Sequence, residues 1–502
     1  MPRRRAKKNA NQLLLWRDEP PSSGRQPVAR SVPSLRGRRV HFLGIGGIGM
    51  SGIARLLLHE GCVVTGCDAM PSEITEALRM DGVPVAIGHS PDHVGTDVDL
   101  VILSAAVRET NPELRAARER NIEVVKYAQS LAWLMNGRRG IAVSGSHGKT
   151  TTSSMIAYAL NHAGRNPSML IGGLVPQLGG SARNGGTGPF VVEACEYDRS
   201  FLRLTPKAAA ITNIDRDHLD YYSGMDELIE AFGRFASNVA PDGIVAANGD
   251  DPNALAAARR GRARVETFGE GPSCDWRVTQ WHRNNGRTVF DVRHNGREFG
   301  QFELLVPGLY NIRNALACLA MCRFFDVPAE DVRAALASFT GARRRFDRLG
   351  EADGVLVLDD YGHHPTEVRV TLDAARQEFP RRRLWCVFQP HQYSRTRLLL
   401  GEFGRAFRAA DRVIVPDIYA VRDSDLDRRS VHARDLVREI RGNGVEAEYR
   451  SEFPEVVDRL LNSVSSGDLV MTMGAGPINA VARSLLTALR IRERNHGSGK
   501  HS

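Results

Sequence analysis

The sequence predicts an α/β protein of three domains with mainly parallel sheets. A chain of 502 residues is long enough for about three domains. Short apolar strands alternate with helical segments along most of the chain. Two glycine-rich turns, which begin at Gly44 and Gly145, each stand between a strand and a helix. Such turns are typical of domains that bind phosphate groups at the N-terminus of a helix.

Residues 39–138 are expected to form a first, Rossmann-like domain. Its predicted strands are Val40–Leu43, Val63–Cys67, Val83–Ile87, Leu100–Ser104 and Glu123–Lys126. The turn Gly44-Ile-Gly-Gly-Ile-Gly49 follows the first strand and precedes an apolar helix, and Asp68 ends the second strand. This pattern binds a ribose-linked diphosphate, with the acid on a ribose hydroxyl. It does not choose between NAD and a sugar nucleotide, and a doubly wound domain without a ligand at this turn is the alternative.

Residues 139–340 are expected to form a central α/β domain of the P-loop ATPase type. The run Gly145-Ser-His-Gly-Lys-Thr-Thr151 follows the apolar strand Gly140–Ser144 and opens a helix. It is a shortened loop, since Val143 stands where the full motif has a glycine. Lys149 supplies charge for the β- and γ-phosphates, and Thr150 suits Mg²⁺. The sequence therefore predicts ATP binding by Gly145, Ser146, His147, Gly148, Lys149, Thr150 and Thr151.

Two strand ends in the central domain have side chains suited to a metal ion. Its other predicted strands are Phe190–Glu193, Ala208–Thr212 and Gly243–Ala247, and Asn-Gly turns predict an antiparallel patch within 262–305. Glu193, Glu196 and Asp198 follow the first of these strands, and Asp217 and His218 follow the second. Carboxylates and imidazoles in this position can ligate a divalent ion beside a phosphate loop. The residues alone do not decide between the three carboxylates.

Residues 341–490 are expected to form a second Rossmann-like domain. Its predicted strands are Val355–Leu358, Leu384–Phe388, Arg412–Val415 and Leu469–Met473. The polar runs 359–367 and 391–397 each follow a strand end, where open α/β sheets bind ligands. An arginine in the second run suits a phosphoryl group or a carboxylate. A surface arginine cluster explains that segment equally well.

The whole net charge of +9 lies in the first 40 residues, which contain eleven Lys or Arg and two acids. Their composition predicts a disordered basic tail over 1–38, and residues 491–502 are expected to fray. Because the rest of the chain is neutral, no specific nucleic-acid role is expected. There is no Cys-x-x-Cys pair, no apolar run long enough for a membrane span and no signal peptide pattern. These features favour a cytoplasmic protein that does not associate with membranes.

Taken in order, these segments resemble the Mur ligases over nearly all of residues 40–490. The motifs concerned are His41–Gly52, Gly145–Thr151, Glu196–Leu202, Asp217–Asp220, Pro307–Ala315, Arg344–Asp347, Asp359–Glu367 and Asp417–Tyr419. The resemblance implies an ATP- and Mg²⁺-dependent ligase of peptidoglycan precursor synthesis. Its substrates would be UDP-N-acetylmuramate and L-alanine, joined through an acyl phosphate on the lactyl carboxylate. A monomer or a homodimer is expected.

The resemblance also implies a role for each matching residue. The UDP-substrate residues would be Gly46, Gly47, Ile48, Gly49, Asp68, Ser104 and Tyr361. The Mg²⁺ ligands would be Thr150, Glu193 and His218, which favours Glu193 among the three carboxylates. The adenine, ribose and nucleotide contacts would include Asn311, Asn314, Arg345 and Asp360. Lys149, Glu193, His218, His363 and Arg395 would be catalytic, with Tyr361, His363 and Arg395 facing the carboxylate and the incoming amine.

Three positions depart from the family pattern. Cys195 stands where the family commonly has Asp, Gln392 where it has Arg, and Gly476-Pro477 where it has Gly-Asp. Cys195 is expected to point away from the metal, whereas Gln392 removes a positive charge near the reacting carboxylate. Other interpretations are a related ligase that attaches a recycled peptide, a non-catalytic sugar-nucleotide sensor and a dehydrogenase. The dehydrogenase leaves the loop at 145–151 without a purpose, and the run from Asp198 to Pro206 favours the single amino acid over the peptide.

Overall fold

The computed structural model describes residues 35–218, 221–421 and 423–498. The described chain contains three sheets of five, ten and six strands. Each sheet lies within one of the three predicted ranges, so the three-part α/β architecture agrees with the sequence, while the domain boundaries remain predictions. The predicted tail up to Ser34 lies outside the described residues. Among the described helices, none is both long and apolar enough to cross a membrane.

The first lobe contains a fully parallel five-stranded sheet. Its strands are β1 (Arg39–Leu43), β2 (Val63–Asp68), β3 (Val85–Ile87), β4 (Leu100–Leu103) and β5 (Glu123–Lys126). Its helices are α1 (Ile48–His59), α2 (Glu73–Met80), α3 (Pro112–Glu119) and α4 (Tyr127–Met135). The order β3-β2-β1-β4-β5 is that of the first five strands of a Rossmann sheet. Leu35 and Arg38, which the sequence assigns to the tail, belong to this lobe, because Leu35 is buried and Arg38 pairs with Glu123.

The central lobe combines a parallel sheet with an antiparallel extension. Its helices are α5 (Lys149–His162), α6 (Met225–Ser237), α7 (Pro252–Ala258), α8 (Leu309–Phe324) and α9 (Ala329–Ser338). Its strands are β6 (Gly140–Ser144), β7 (Ser168–Val175), β8 (Gly180–Arg183), β9 (Phe190–Glu193), β10 (Ala208–Ile211), β11 (Ile244–Asn248), β12 (Arg264–Gly269), β13 (Trp276–Asn284), β14 (Arg287–His294) and β15 (Arg297–Leu304).

The strand order of this sheet is β15-β14-β13-β12-β11-β10-β6-β9-β7-β8. The predicted antiparallel patch is present as β13, β14 and β15. The phosphate-loop strand β6 lies between β10 and β9 and is parallel to both. The carboxyl ends of all three strands, and the acids predicted there, therefore lie at one edge of the sheet.

The third lobe contains a six-stranded sheet of order β16-β17-β21-β18-β19-β20, in which only the β16–β17 pair is antiparallel. Its strands are β16 (Asp347–Ala352), β17 (Val355–Asp360), β18 (Leu384–Phe388), β19 (Arg412–Val415), β20 (Glu446–Tyr449) and β21 (Leu469–Met473). Its helices are α10 (Pro365–Glu378), α11 (Tyr393–Leu398), α12 (Leu400–Ala406), α13 (Asp425–Ser430), α14 (Ala433–Gly442), α15 (Phe453–Leu461) and α16 (Asn479–Ser498).

The last helix continues beyond the point where the sequence predicts fraying. It extends to Ser498, although residues from 491 onward were expected to be irregular. Arg492 explains part of the difference, because its side chain reaches Asp353 Oδ2 at 2.5 Å and the Leu461 carbonyl at 2.7 Å. Residues 499–502 lie outside the described chain.

Candidate active site

The glycine turn of the first lobe is braced by an acid from the next strand. Gly44 leaves β1 with φ of +77°, a conformation that favours glycine. The Gly46 N–H donates to Asp68 Oδ2 at 2.8 Å, and a Cβ at Gly46 would lie 2.8 Å from the same oxygen. Ser104 follows β4 at the same edge of the sheet, where its N–H donates to the Leu43 carbonyl. The predicted residues Gly46, Gly47, Ile48, Gly49, Asp68 and Ser104 are thus brought together.

The phosphate loop of the central lobe depends on two glycines with positive φ. Gly145 has φ of +136°, and a Cβ there would lie 2.0 Å from Thr212 Oγ1. Gly148 has φ of +83° and directly precedes α5. The helix therefore begins with Lys149, Thr150 and Thr151, and its N-terminus faces the loop. This is the strand, turn and helix arrangement that the sequence predicts.

Lys149 is folded back onto a buried carboxylate. Its Nζ donates to Glu196 Oε1 at 2.9 Å and to the carbonyls of Gly145 and Ser146 at 2.5 and 3.1 Å. Burial alone would lower the pKa of Lys149, but the charge of Glu196 outweighs it and raises the pKa above its usual value. The ammonium group is therefore held charged beside the loop.

Thr150 and Glu193 form the second polar contact of the loop. Thr150 Oγ1 donates to Glu193 Oε2 at 2.9 Å, and the same carboxylate oxygen accepts the Gly172 N–H at 2.8 Å. Arg345, from the segment that leads into the third lobe, approaches Thr150 Oγ1 to 3.4 Å. The structure therefore pairs Thr150 with Glu193 and Lys149 with Glu196.

His218 lies beside Glu196, with 3.7 Å between Nε2 and Oε1. Cys195 belongs to the same group, because its thiol lies within 4.8 Å of the ligand atoms of Glu196 and His218. The expectation that Cys195 points away from this group is wrong. Cys195 lies beyond the end of β9 and shortly before a 3-10 turn, so its side chain does not have to alternate with that of Glu196 as it would in a strand. Burial and then the Glu196 charge raise the pKa of the Cys195 thiol to about 12, which keeps it neutral.

These residues fit a magnesium ion. Glu196 Oε2 and His218 Nδ1 are both buried and lack a hydrogen-bond partner within residues 35–218, 221–421 and 423–498. Buried polar atoms of this kind are rare unless a ligand, ion or water satisfies them. A threonine hydroxyl and carboxylates are the oxygen donors that Mg²⁺ prefers. Thr150, Glu193 and His218 are the predicted ligands, and the structure adds Glu196 as a further candidate.

The asparagines of α8 lie behind the phosphate loop. Asn311 Nδ2 donates to the Pro307 carbonyl at 2.6 Å, and Asn314 Nδ2 donates to Asn311 Oδ1 at 3.1 Å. Asn314 Oδ1 would lie 2.8 Å from a Cβ at Gly148. Both predicted adenine contacts therefore form one buried pair next to the loop.

Asp360 and Tyr361 stand at the end of β17. Asp360 accepts the N–H groups of Phe346 and Gly362, each at 2.7 Å, and burial raises the pKa of its carboxyl to about 6. The guanidinium carbons of Arg344 and Arg345 lie 5.1 and 5.0 Å from the centre of the Tyr361 ring. These contacts place the predicted Asp360, Tyr361 and Arg345 in one cluster.

His147 of the phosphate loop connects the central and third lobes. Its Nε2 lies 3.1 Å from Asp215 Oδ2 and its Nδ1 lies 3.2 Å from Glu367 Oε1. Thr366 Oγ1, from the third lobe, donates to the same Asp215 oxygen at 2.7 Å. Burial alone would lower the pKa of His147, but the two carboxylates raise it to about 9. Protonated His147 thus bridges two acids across the lobe boundary.

Arg395 forms a second contact across the boundary. Its Nη2 donates to Asp217 Oδ1 at 2.8 Å, and both side chains are at most 7 % exposed. His363 lies nearby, with its ring 5.6 Å from that of His391. Burial lowers the pKa of His363 to about 4, so it is neutral near pH 7. His363 Nδ1 faces the Tyr361 carbonyl at 3.1 Å, so Nδ1 carries the proton and Nε2 is a free base.

Three family models together match most of the chain. Residues 39–139 match the catalytic domain of the Mur ligase family, 143–322 match the Mur ligase middle domain and 344–476 match the Mur ligase glutamate ligase domain. The UDP-N-acetylmuramate–L-alanine ligase of Caldanaerobacter subterraneus subsp. tengcongensis is 41% identical over 451 residues, which are 89% of this chain and 97% of the relative. That of Trichlorobacter lovleyi is 42% identical over 453 residues, or 90% and 99%.

The chain belongs to the Mur ligase family. Solved structures agree with this assignment. The UDP-N-acetylmuramate–alanine ligase of Thermotoga maritima aligns with a TM-score of 0.79 at 29% identity and covers 90% of this chain and 99% of its own. A MurF ligase of the same organism in complex with ADP aligns with a TM-score of 0.59 at 18% identity, over 86% and 95%, and shows the fold alone.

Two features of this Mur ligase site were not evident from the sequence. The partners of His147 are Asp215 and Glu367, which are far apart in the chain, and only the acidic character of both segments was visible. Gln392 was expected to leave the site with one positive charge fewer. It is 2% exposed, and it directly precedes α11 with φ of +69°. Its Nε2 donates to the Val421 carbonyl at 3.2 Å, so its amide has a structural partner.

Proposed function

We propose that this chain joins L-alanine to the lactyl carboxylate of UDP-N-acetylmuramate with consumption of ATP. The observation that supports this most strongly is the convergence of Lys149, Thr150 and Glu193 with Arg345 and Arg395 at one lobe boundary. Relatives at about 41% identity and almost full coverage are named for this reaction. We assign the proposed reaction to the cytoplasm, because it uses ATP and a UDP-linked sugar.

In the proposed reaction the lactyl carboxylate attacks the γ-phosphorus of ATP, and ADP leaves. The product is an acyl phosphate, whose carbonyl carbon is then attacked by the amine of L-alanine with loss of phosphate. Lys149 would leave Glu196 for the phosphate oxygens, and Arg395, held by Asp217, would face the transferring group. Bound Mg²⁺ would neutralise charge on the phosphate oxygens, with Thr150, Glu193 and His218 as the proposed ligands.

We propose that His363 accepts the proton of the attacking amine. Its Nε2 is the unprotonated nitrogen, because Nδ1 donates to the Tyr361 carbonyl. Its lowered pKa keeps the imidazole neutral at the pH of the cell. The carboxyl of Asp360 and the ring of Tyr361 stand beside it at the end of β17. We therefore propose His363 as the general base and Arg395 as the electrostatic stabiliser.

Phosphate release tests the proposed function directly. The purified chain is incubated with ATP, Mg²⁺ and UDP-N-acetylmuramate, together with L-alanine, glycine, L-serine or a peptide of the murein type. Rapid phosphate release with L-alanine and formation of one amide product are expected. Release only with the peptide would indicate the recycling ligase, and substrate binding without release would indicate a sensor. Either outcome would contradict the proposal.

A further inference from the structure

A second polar cluster lies in the first lobe, away from the phosphate loop. His41 of β1, Cys67 of β2 and Glu113 of α3 meet in the interior, and the ligand atoms of these three residues all lie within 4.8 Å of one another. His89 reaches the cluster from the segment that follows β3. The side chain of Glu113 is 0% exposed, as Cys67 is, and His41 is 1% exposed. None of these side chains has a role in the proposed reaction.

Several distances within the cluster resemble those of a tetrahedral metal site, although His89 lies outside the group of three residues whose ligand atoms are all within 4.8 Å of one another. His41 Nε2 lies 3.2 Å from Glu113 Oε2, and His89 Nδ1 lies 3.4 Å from Cys67 Sγ and 3.3 Å from Glu113 Oε1. Donors bound to zinc at its usual bond lengths lie about 3.3–3.8 Å apart. Only the contact from Cys67 Sγ to Glu113 Oε2 is clearly shorter, at 2.7 Å, and it is a thiol hydrogen bond that is lost when the thiol is deprotonated.

Outer partners orient the donors towards a common centre. His41 Nδ1 is held by Thr65 Oγ1 at 2.8 Å, which turns Nε2 towards Glu113. The second carboxylate oxygen of Glu113, Oε1, which His89 Nδ1 also faces, is held by the Ser90 N–H at 3.2 Å and by His93 Nδ1 at 3.0 Å. Metal-binding histidines and carboxylates in proteins are typically fixed by hydrogen bonds of this kind.

We propose that His41, Cys67 and Glu113 form a structural zinc site, with His89 as the fourth ligand once its ring, which already contacts Cys67 Sγ and Glu113 Oε1, moves towards the other three. The mixture of one thiolate, two imidazoles and one carboxylate suits Zn²⁺, whereas Mg²⁺ prefers oxygen donors alone. Four protein ligands leave no open position, so the ion stabilises the lobe and takes no part in the reaction. It ties together β1, β2, the segment after β3 and the start of α3, directly beside Asp68. The site is independent of the proposed function.

Cobalt substitution provides the test, because Co²⁺ reports both its geometry and a thiolate ligand by absorption. The full-length protein is reduced, freed of metal with a chelator and titrated with Co²⁺. We expect a thiolate-to-cobalt charge-transfer band, intense tetrahedral d–d bands and loss of both on addition of one equivalent of Zn²⁺. Absence of the charge-transfer band in the unmodified protein would overturn the proposal.

Variants locate the thiolate. Cys67→Ser should remove the charge-transfer band, whereas Cys62→Ser, at a nearby buried thiol that donates to the Leu35 carbonyl, should retain it. Cys195→Ala should also retain it. Loss of the band only in Cys195→Ala would place the metal beside the phosphate loop and overturn the proposal.

A further variant protects the test against misfolding of Cys67→Ser. The His89 side chain is 28% exposed, so His89→Ala should fold. Its zinc affinity should fall at least about tenfold, as is typical for loss of one ligand or its support. At the same zinc concentration, zinc should raise the melting temperature of the unmodified protein by more than that of this variant. Equal zinc affinity in both proteins would contradict the assignment of His89.

Discussion

The two glycine-rich loops share a local plan but differ in what surrounds them. The loop from Gly44 to Gly49 contains no charged side chain, and its contact with Asp68 is made by a backbone N–H. The loop from Gly145 to Thr151 contains Lys149, which pairs with Glu196, and Thr150, which donates to Glu193. A loop that only binds a diphosphate needs backbone donors, whereas a loop that assists phosphoryl transfer needs a cation that can move.

The two loops also differ in the charge that they bury when no nucleotide is bound. A buried ammonium group is unfavourable unless it is paired, and Glu196 supplies the pair. The same carboxylate has an unpaired buried oxygen, so its surroundings are incomplete within the described chain. We infer that the phosphate loop is prepared for a charged ligand, whereas in the first loop, residues 44–49, Asp68 accepts the N–H of Gly46 alone.

The largest expected effect is that of Lys149→Ala. Loss of the phosphate contact should lower kcat/KM by about 10³-fold or more, because it removes stabilisation of the transition state. The affinity for UDP-N-acetylmuramate, measured by calorimetry, should stay within a few-fold of the unmodified protein. Lys207→Ala, at a lysine paired with Asp242 on the surface, is the matched control and should have normal kinetics. Activity of Lys149→Ala within tenfold of normal would show that the two loops do not differ in this way.

The second prediction concerns the pH dependence of stability, to which the phosphate loop should contribute and the first loop should not. His147 has its pKa raised from 6.5 to about 9, so the stability it contributes is complete below about pH 6.5 and is lost as pH rises through 9. The loss should be on the order of 3 kcal/mol at most. Thermal unfolding between pH 6.5 and 9.5, without nucleotide, measures it.

Glu367→Gln is the comparison for this pH series, because it removes one of the two carboxylates that face His147. The variant should lose less stability than the unmodified protein over the same range. Binding of UDP-N-acetylmuramate, which we assign to the first loop, should vary little between pH 7 and 9. An equal pH dependence in both proteins would argue against His147 as the titrating group.

The third prediction addresses the first loop. Asp68→Ala removes the acceptor that braces Gly46, so affinity for UDP-N-acetylmuramate should fall about ten- to a hundredfold, the usual range for a hydrogen bond to a charged group. The KM for ATP should change little. Asp81→Ala, at an acid of the same lobe that pairs with Arg55 on the surface, is the control. A larger effect on ATP than on the UDP substrate would reverse the assignment of the two loops.

Local sequence patterns were sufficient to predict the strands and both glycine loops, because each of these features depends on residues that are neighbours in the chain. Lys149 and Thr150 could be predicted for the same reason, because each stands at a fixed place in the loop that follows a strand. Glu193 was one of three candidate carboxylates, and only the resemblance to the Mur ligases favoured it. The partner of Lys149 could not be chosen, since Glu193, Glu196 and Asp198 lie within six residues and only the turn after β9 separates their directions. The metal roles of these residues remain predictions.

Contacts between distant segments were beyond the sequence. His147 meets Glu367 across 220 positions, and Cys67 meets Glu113 across 46. Neither pair has a short motif, because the spacing is set by sheet order and by how the lobes pack. The cysteines appeared uninformative when only Cys-x-x-Cys spacing was considered. In the structure, Cys67 is surrounded by a carboxylate and an imidazole.

The smallest effect should come from removing the basic tail, because both glycine loops lie beyond it. A chain that begins at Leu35 should keep its kcat/KM within about twofold and its stability within about 0.5 kcal/mol, the range usual for surface changes. A chain that begins at Arg39 provides the contrast. It lacks the buried Leu35 side chain and the Arg38–Glu123 pair, which is 3.2 Å long. Loss of one buried leucine should cost about 1.5–3 kcal/mol, measured by denaturant unfolding. Weaker substrate binding at either loop in the chain that begins at Leu35 would contradict this prediction. It would show that the tail contributes to a binding site.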